Sequence, residues 1–220
     1  MEKKIAFFHT TLNTPLHMKQ AFERRFPGVQ LITVADDSVL PEINANSGRY
    51  TARIVRKLIR FAQEAKETGA VAVVCMCTTL ASAVAQARPL VDIPFLTIDG
   101  PMLDQAVRTG DRVALLLTAK TTLEASSQSL ARAARAAGRE NVRLDTIWVT
   151  GAFEKLNQDH DKASHDRMIV EAAIQAAQDH DVIALGQASM VDAAKELTGL
   201  GIPVLTSVDS GIEQLAAYLE

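Results

Sequence analysis

Short continuous runs of apolar and β-branched residues alternate along this chain with longer stretches in which apolar positions recur at helical spacing. That rhythm predicts an α/β protein with a largely parallel sheet. The runs predict strands over 4–9, 29–34, 71–75 and 95–98, and a second set over 112–117, 142–148, 182–185 and 204–207. Helices are predicted over 15–26, 48–68, 80–88, 102–109, 122–137, 163–178 and 190–198, with a last helix over 211–219.

The two sets of strands echo each other. Ile93-Pro94-Phe95-Leu96-Thr97-Ile98-Asp99-Gly100 recurs as Ile202-Pro203-Val204-Leu205-Thr206-Ser207-Val208-Asp209-Ser210-Gly211, with one residue inserted before the Asp. Lys4-Ile5-Ala6-Phe7-Phe8-His9-Thr10 is matched by Arg112-Val113-Ala114-Leu115-Leu116-Leu117-Thr118, and both repeats lie about half of the 220 residues apart. The strand leading into Cys77-Thr78-Thr79 falls opposite the strand leading into Gln187-Ala188-Ser189. Equivalent loops therefore carry Thr10 and Thr118, and Cys77 and Gln187. Ligands of open parallel sheets bind beyond the carboxyl ends of the strands, so these four positions are expected to line a cleft between two halves. Hydroxyls and N–H groups at the following helix starts suit a carboxylate. The alternative is that threonine and serine there only cap helices.

Composition narrows the ligand. With 48% hydrophobic and 22% charged residues the chain has material for real cores and no sign of a long disordered tail. Its 23 basic residues against 26 acidic ones leave no stripe on which to hold a phosphate backbone, so nucleic acid is not expected and a small molecule is. No apolar run approaches the length of a membrane span, and the first residues lack a secretory pattern. Cys75 and Cys77 stand too close on one strand for an ordinary disulfide and read as cytoplasmic thiols. No Walker loop and no Gly-x-Gly-x-x-Gly turn follows a strand, which leaves nucleotide and pyridoxal phosphate cofactors unsupported. His160, His165, Asp159, Asp161 and Asp166, interleaved with Lys162 and Arg167, follow no ligand spacing and read as a solvated helix start; no metal is predicted.

A strand ending in Cys77-Thr78-Thr79, answered by Leu185-Gly186-Gln187-Ala188-Ser189-Met190, resembles the aspartate/glutamate/hydantoin racemase superfamily over essentially the whole chain. The resemblance implies two pseudo-symmetric Rossmann-like α/β domains with parallel four-stranded sheets and an inter-domain active-site cleft. Residues 1–98 with 208–220 would form the first domain and 99–207 the second. It also implies cofactor-independent proton transfer at the carbon alpha to a carboxylate of a small acid, by two cysteines on opposite faces. Cys77 looks like the first. Gln187 stands where the second belongs, and a carboxamide neither takes nor gives a proton usefully near neutral pH.

The family default is a racemase or isomerase with Cys77 as acid/base, its thiolate favoured by the helix start that follows. One thiol also fits a decarboxylase, lyase or tautomerase of the same superfamily. A non-catalytic small-acid-binding protein is the reading from another class. In the one-thiol enzyme readings Gln187 would donate N–H bonds to a developing enediolate oxygen. Thr10, Asn13, Thr78, Thr79, Thr118, Thr121, Thr122 and Ser189 are the substrate-binding candidates the loops and the resemblance supply. Cys75 reads as a buried structural thiol, Glu154 as surface acid, and His9 and His17 as neighbours of the first loop. The oligomeric state stays open, with a homodimer, common in this architecture, as the candidate.

Overall fold

The computed structural model describes residues 3–12 and 14–219. The chain divides into two compact units, residues 1–98 with 211–220, and residues 99–210.

In the first unit, strands β1 (Lys4–His9), β2 (Gln30–Ala35), β3 (Ala70–Cys75) and β4 (Phe95–Thr97) pair in parallel in the order β2-β1-β3-β4. Ile5 to His9 and Ala72 to Cys75 are buried, because the two central strands are covered on both faces. One face receives α3 (Ala52–Glu67) and α4 (Ala81–Ala87). Helix α3 turns Ile54, Leu58, Phe61, Ala62 and Ala65 inward at helical spacing. Its start is set by Thr51, whose side chain accepts from Ile54 N–H. The other face receives α1 (Pro15–Arg25), whose Phe22 meets Phe7 edge to face at 5.5 Å. A short helix α2 (Val39–Ala45) precedes α3; it was not expected, and Pro41 inside it masks its period.

The second unit repeats the plan. Strands β5 (Arg112–Leu117), β6 (Arg143–Trp148), β7 (Val182–Leu185) and β8 (Val204–Thr206) pair in parallel in the order β6-β5-β7-β8. Helices α5 (Gly100–Thr109) and α6 (Leu123–Ala136) cover one face, burying Met102, Val107, Leu130 and Ala134. Helices α8 (Lys162–Ala176) and α9 (Val191–Glu196) cover the other through Ile169, Ala173 and Ala193. A six-residue helix α7 (Ala152–Asn157), absent from the sequence reading, starts at Gly151, whose φ of 86° suits a residue without Cβ. The expected last helix is two: α10 (Ser207–Glu213) and α11 (Ala216–Leu219).

In each sheet the direction of winding reverses between the two central strands, β1 and β3 in one, β5 and β7 in the other. Such a reversal is where the loops leaving the strand ends part and open a crevice. The residues beyond these four strands are Thr10, Cys77, Thr118 and Gln187.

Candidate functional site

Strand register places the first pair. Phe8 lies opposite Cys75, so Thr10 and Cys77 come two residues on, on the same side of adjacent strand ends. Cys77 is the extended residue just before the 3-10 turn Thr78–Leu80 that leads into α4. The hydroxyls of Thr10 and Thr79 donate to its sulfur, and the N–H groups of Thr79 and Leu80 face it without forming a regular cap hydrogen bond. All four favour thiolate. Burial opposes them and is the larger influence, pushing the Cys77 thiol above its ordinary value of 9.0. The expected dominance of the helix start is thus outweighed: Cys77 is half-buried, and no cation is among the influences that offset its burial, so the balance leans toward the protonated thiol.

The second unit builds the same contact with other chemistry. Leu116 lies opposite Leu185, which brings Thr118 beside Gln187. Gln187 Oε1 accepts from Thr118 N–H at 2.6 Å, from the Thr118 hydroxyl at 2.8 Å and from Ala119 N–H at 3.3 Å. Two of those donors are main-chain amides, so the atom they meet must be the carbonyl oxygen and the amide orientation is fixed. The NH₂ group takes the opposite side of the amide, and among the described residues its donors are unspent. In both units the threonine after the first strand therefore donates to the residue after the third strand, a thiol in one and a carboxamide in the other.

The remaining candidates divide. Thr78, Thr79 and Thr122 are buried; the Thr122 hydroxyl donates to Ala119 O at 2.7 Å. Thr121 is exposed and Ser189 half-buried. Asn13 lies outside the described residues. Cys75 is fully buried and its thiol donates to Cys77 O at 3.6 Å. His17 and Glu154 are exposed. His165 and Asp166 are not part of a solvated helix start: both are buried on the inner side of the first turn of α8, with His165 Nδ1 2.7 Å from Asp166 Oδ1 and Lys162 paired to the same carboxylate. Among the described residues no three metal-ligating side chains converge, and no helix is long and apolar enough to cross a membrane.

His9 is buried with Nδ1 3.1 Å from Thr14 Oγ1, which in turn lies 3.1 Å from Thr11 Oγ1, so the ring braces the loop that carries Thr10. Its Nε2 is buried without a partner among the described residues, and burial lowers its pKa from 6.5 to about 4. Between those values the unfolded chain binds a proton that the native state refuses, so stability drops as pH falls through that window. The loss is on the order of 3 kcal/mol. Urea unfolding at pH 7 and pH 4 should show a drop larger by about that amount in the wild type than in His9→Asn; equal drops would remove His9 as the cause.

Sequence reasoning passed over two residues. Trp148, the last residue of β6, donates its indole N–H to Thr118 O at 2.9 Å, and Lys120 Nζ stands 5.3 Å from the centre of its ring. The signal was present in a lysine set among the threonines of the loop after β5 and in a tryptophan closing an edge strand.

The sequence matches the family model described as Asp/Glu/Hydantoin racemase over residues 9–215. Comparison with curated proteins gave no match. Among solved structures the fold is similar to glutamate racemase isoform RacE1 from Bacillus anthracis, with a TM-score of 0.72 at 15% identity over 99% of this chain and 81% of that one. It is similar to allantoin racemase from Klebsiella pneumoniae, with a TM-score of 0.67 at 18% identity over 97% and 87%. Arylmalonate decarboxylase is similar with a TM-score of 0.61 at 18% identity over 99% and 92%.

Proposed function

Since the chain belongs to the Asp/Glu/hydantoin racemase family, we propose that it is an enzyme that transfers a proton, without a cofactor, at the carbon alpha to a carboxylate of a small acid, using Cys77 as its single acid/base. The observation that carries this reading is the pair of matched contacts, Thr10 with Cys77 and Thr118 with Gln187. One offers an ionisable group and the other a group that stays neutral. Inverting a stereocentre by proton exchange needs an acid/base on each face of the carbon. One thiol serves one face, so the product keeps one configuration.

The state of the thiol favours donation over abstraction. A substrate with a second carboxylate on the reacting carbon suits it: the bond to that carboxylate breaks, carbon dioxide leaves, and the electron pair passes into an enediolate. The Cys77 S–H proton then goes to carbon, and solvent reprotonates the sulfur. The Gln187 NH₂ group is a fixed donor of the kind that stabilises an enediolate oxygen, an effect worth roughly 2.7 to 4 kcal/mol where measured. A tautomerase would use the same elements; a racemase or isomerase is the family default, and the single thiol counts against stereoinversion here.

Proton NMR in D₂O against a panel of small acids, hydantoins and substituted malonates tests the proposal. The expected result is deuterium at the alpha carbon in one configuration, with carbon dioxide released from a malonate, in the absence of added nucleotide or metal. Binding of the same acids without exchange or turnover would overturn it in favour of a small-acid-binding protein.

A further inference from the structure

The loop after β5 holds an arrangement that the family reading leaves unused. Two of its main-chain donors, Thr118 N–H and Ala119 N–H, are spent on Gln187 Oε1, and the Thr118 and Thr122 hydroxyls are spent on Gln187 Oε1 and Ala119 O. A carboxylate arriving at this loop finds those donors occupied by a carbonyl oxygen of the chain itself. Beside the exposed Thr121, the loop offers a cation. Lys120 is exposed, lies over the Trp148 ring and makes no ion pair with the described residues. Glu124, one turn further on, takes a hydrogen bond from Gln128 instead.

Thr118 is the hub of this group. Its N–H and hydroxyl hold Gln187, and its carbonyl holds Trp148. Trp148 ends β6, and the Thr118–Lys120 segment and Gln187 follow the carboxyl ends of β5 and β7; the three strands are neighbours. The indole face confines the lysine stem and its charge to that edge, and the fixed Gln187 amide adds two neutral N–H donors.

We infer that Lys120, backed by Trp148, binds the substrate's carboxylate, with the Gln187 NH₂ group as its neutral companion. The inference rests on the reading of this loop as substrate-facing, and it assigns to a side-chain cation the task that main-chain amides would otherwise perform. Lys120 is a binding residue here and takes no part in moving the proton.

Trp148 is the one tryptophan of the chain, so its fluorescence reports on this place alone. Titration with malonate should give a saturable change, and malonamide, its uncharged counterpart, should give none. Lys120→Gln should weaken malonate binding about tenfold or more, since a charge-assisted contact is lost, while Lys120→Arg should stay within about threefold of wild type. Three results would overturn the inference: no saturable change in the wild type up to about 50 mM malonate, Lys120→Gln binding within twofold of wild type, or sulfate binding as tightly as malonate, which marks an unselective anion site. None of these measurements involves Cys77. Loss of exchange with malonate binding intact would therefore count against the proposed reaction, and exchange with a Michaelis constant unmoved in Lys120→Gln would count against this inference.

Discussion

Replacing Cys77 by serine should abolish turnover on any substrate the wild type converts, with kcat reduced by about 10²- to 10⁴-fold, the range that a positioned acid/base contributes. Serine keeps a hydroxyl beside Thr10 and Thr79 and leaves the packing of the loop nearly unchanged, so the thermal midpoint should hold while activity falls. What serine lacks is a proton that can leave at accessible pH. Activity within tenfold of wild type would mean that Cys77 does not move the proton.

The pH profile then separates donor from acceptor. Burial holds the Cys77 pKa above 9.0; a protonated thiol acting as donor gives a rate that is level through neutral pH and falls only beyond that value. A thiol required as base would give the opposite limb, rising with pH across the same range. Thr10 sharpens the test, because its hydroxyl stabilises the thiolate. Thr10→Val should move the alkaline limb further up, and a limb that stayed in place would separate Thr10 from the titrating group.

The internal repeat made the framework of this site legible before any coordinate. Strands β1, β5 and β7 begin and end where the apolar runs do, since central strands buried on both faces leave no alternation to misread. The same duplication matched Thr10 with Thr118 and Cys77 with Gln187 along the sequence, and within each unit parallel register brought the threonine beside its partner. Elements shorter than two turns were harder. Helix α2 carries a proline within seven residues and α7 spans six, too few for a period to declare itself. Helix α3 starts at Ala52, later than expected from its apolar rhythm, because Ser47 and Gly48 both take positive φ.

Side-chain commitments were the least legible part. The resemblance offered Gln187 as a donor toward a substrate, and its NH₂ remains one, but that its oxygen gathers three donors from the neighbouring loop depends on where two backbone amides point. The same holds for His165 and Asp166. Their charges predicted solvent, and the first turn of α8 turns both inward, where they partner each other.

Gly211→Ala should be strongly destabilising, and the repeat shows why a glycine is there. The Asp99-Gly100 step is echoed by Asp209-Ser210-Gly211, where a helix again follows the last strand of a sheet. At Gly211 an added Cβ would stand 2.2 Å from Ile98 O, 2.5 Å from Ile98 Cδ1 and 3.0 Å from Ile98 C. A side-chain tip can rotate aside, but a carbonyl at the end of the β4 connection cannot, so the helix itself must retreat. It is held where it is by buried Ile212 and Leu215 and by Gln214 Nε2 donating to Thr97 O at 3.2 Å. Retreat therefore strips packing as well as relieving the clash, at a cost of about 3 kcal/mol, or roughly 6 to 12 °C in the thermal midpoint for a chain of this size. Gly199→Ala supplies the comparison: its φ is 98° with open space around it, so it carries only the conformational cost of a left-handed residue, about 1 kcal/mol. Melting by circular dichroism should place Gly211→Ala clearly below Gly199→Ala. The reverse order would show that the Ile98 carbonyl yields, and that the fit of the closing helix against it contributes little to the fold.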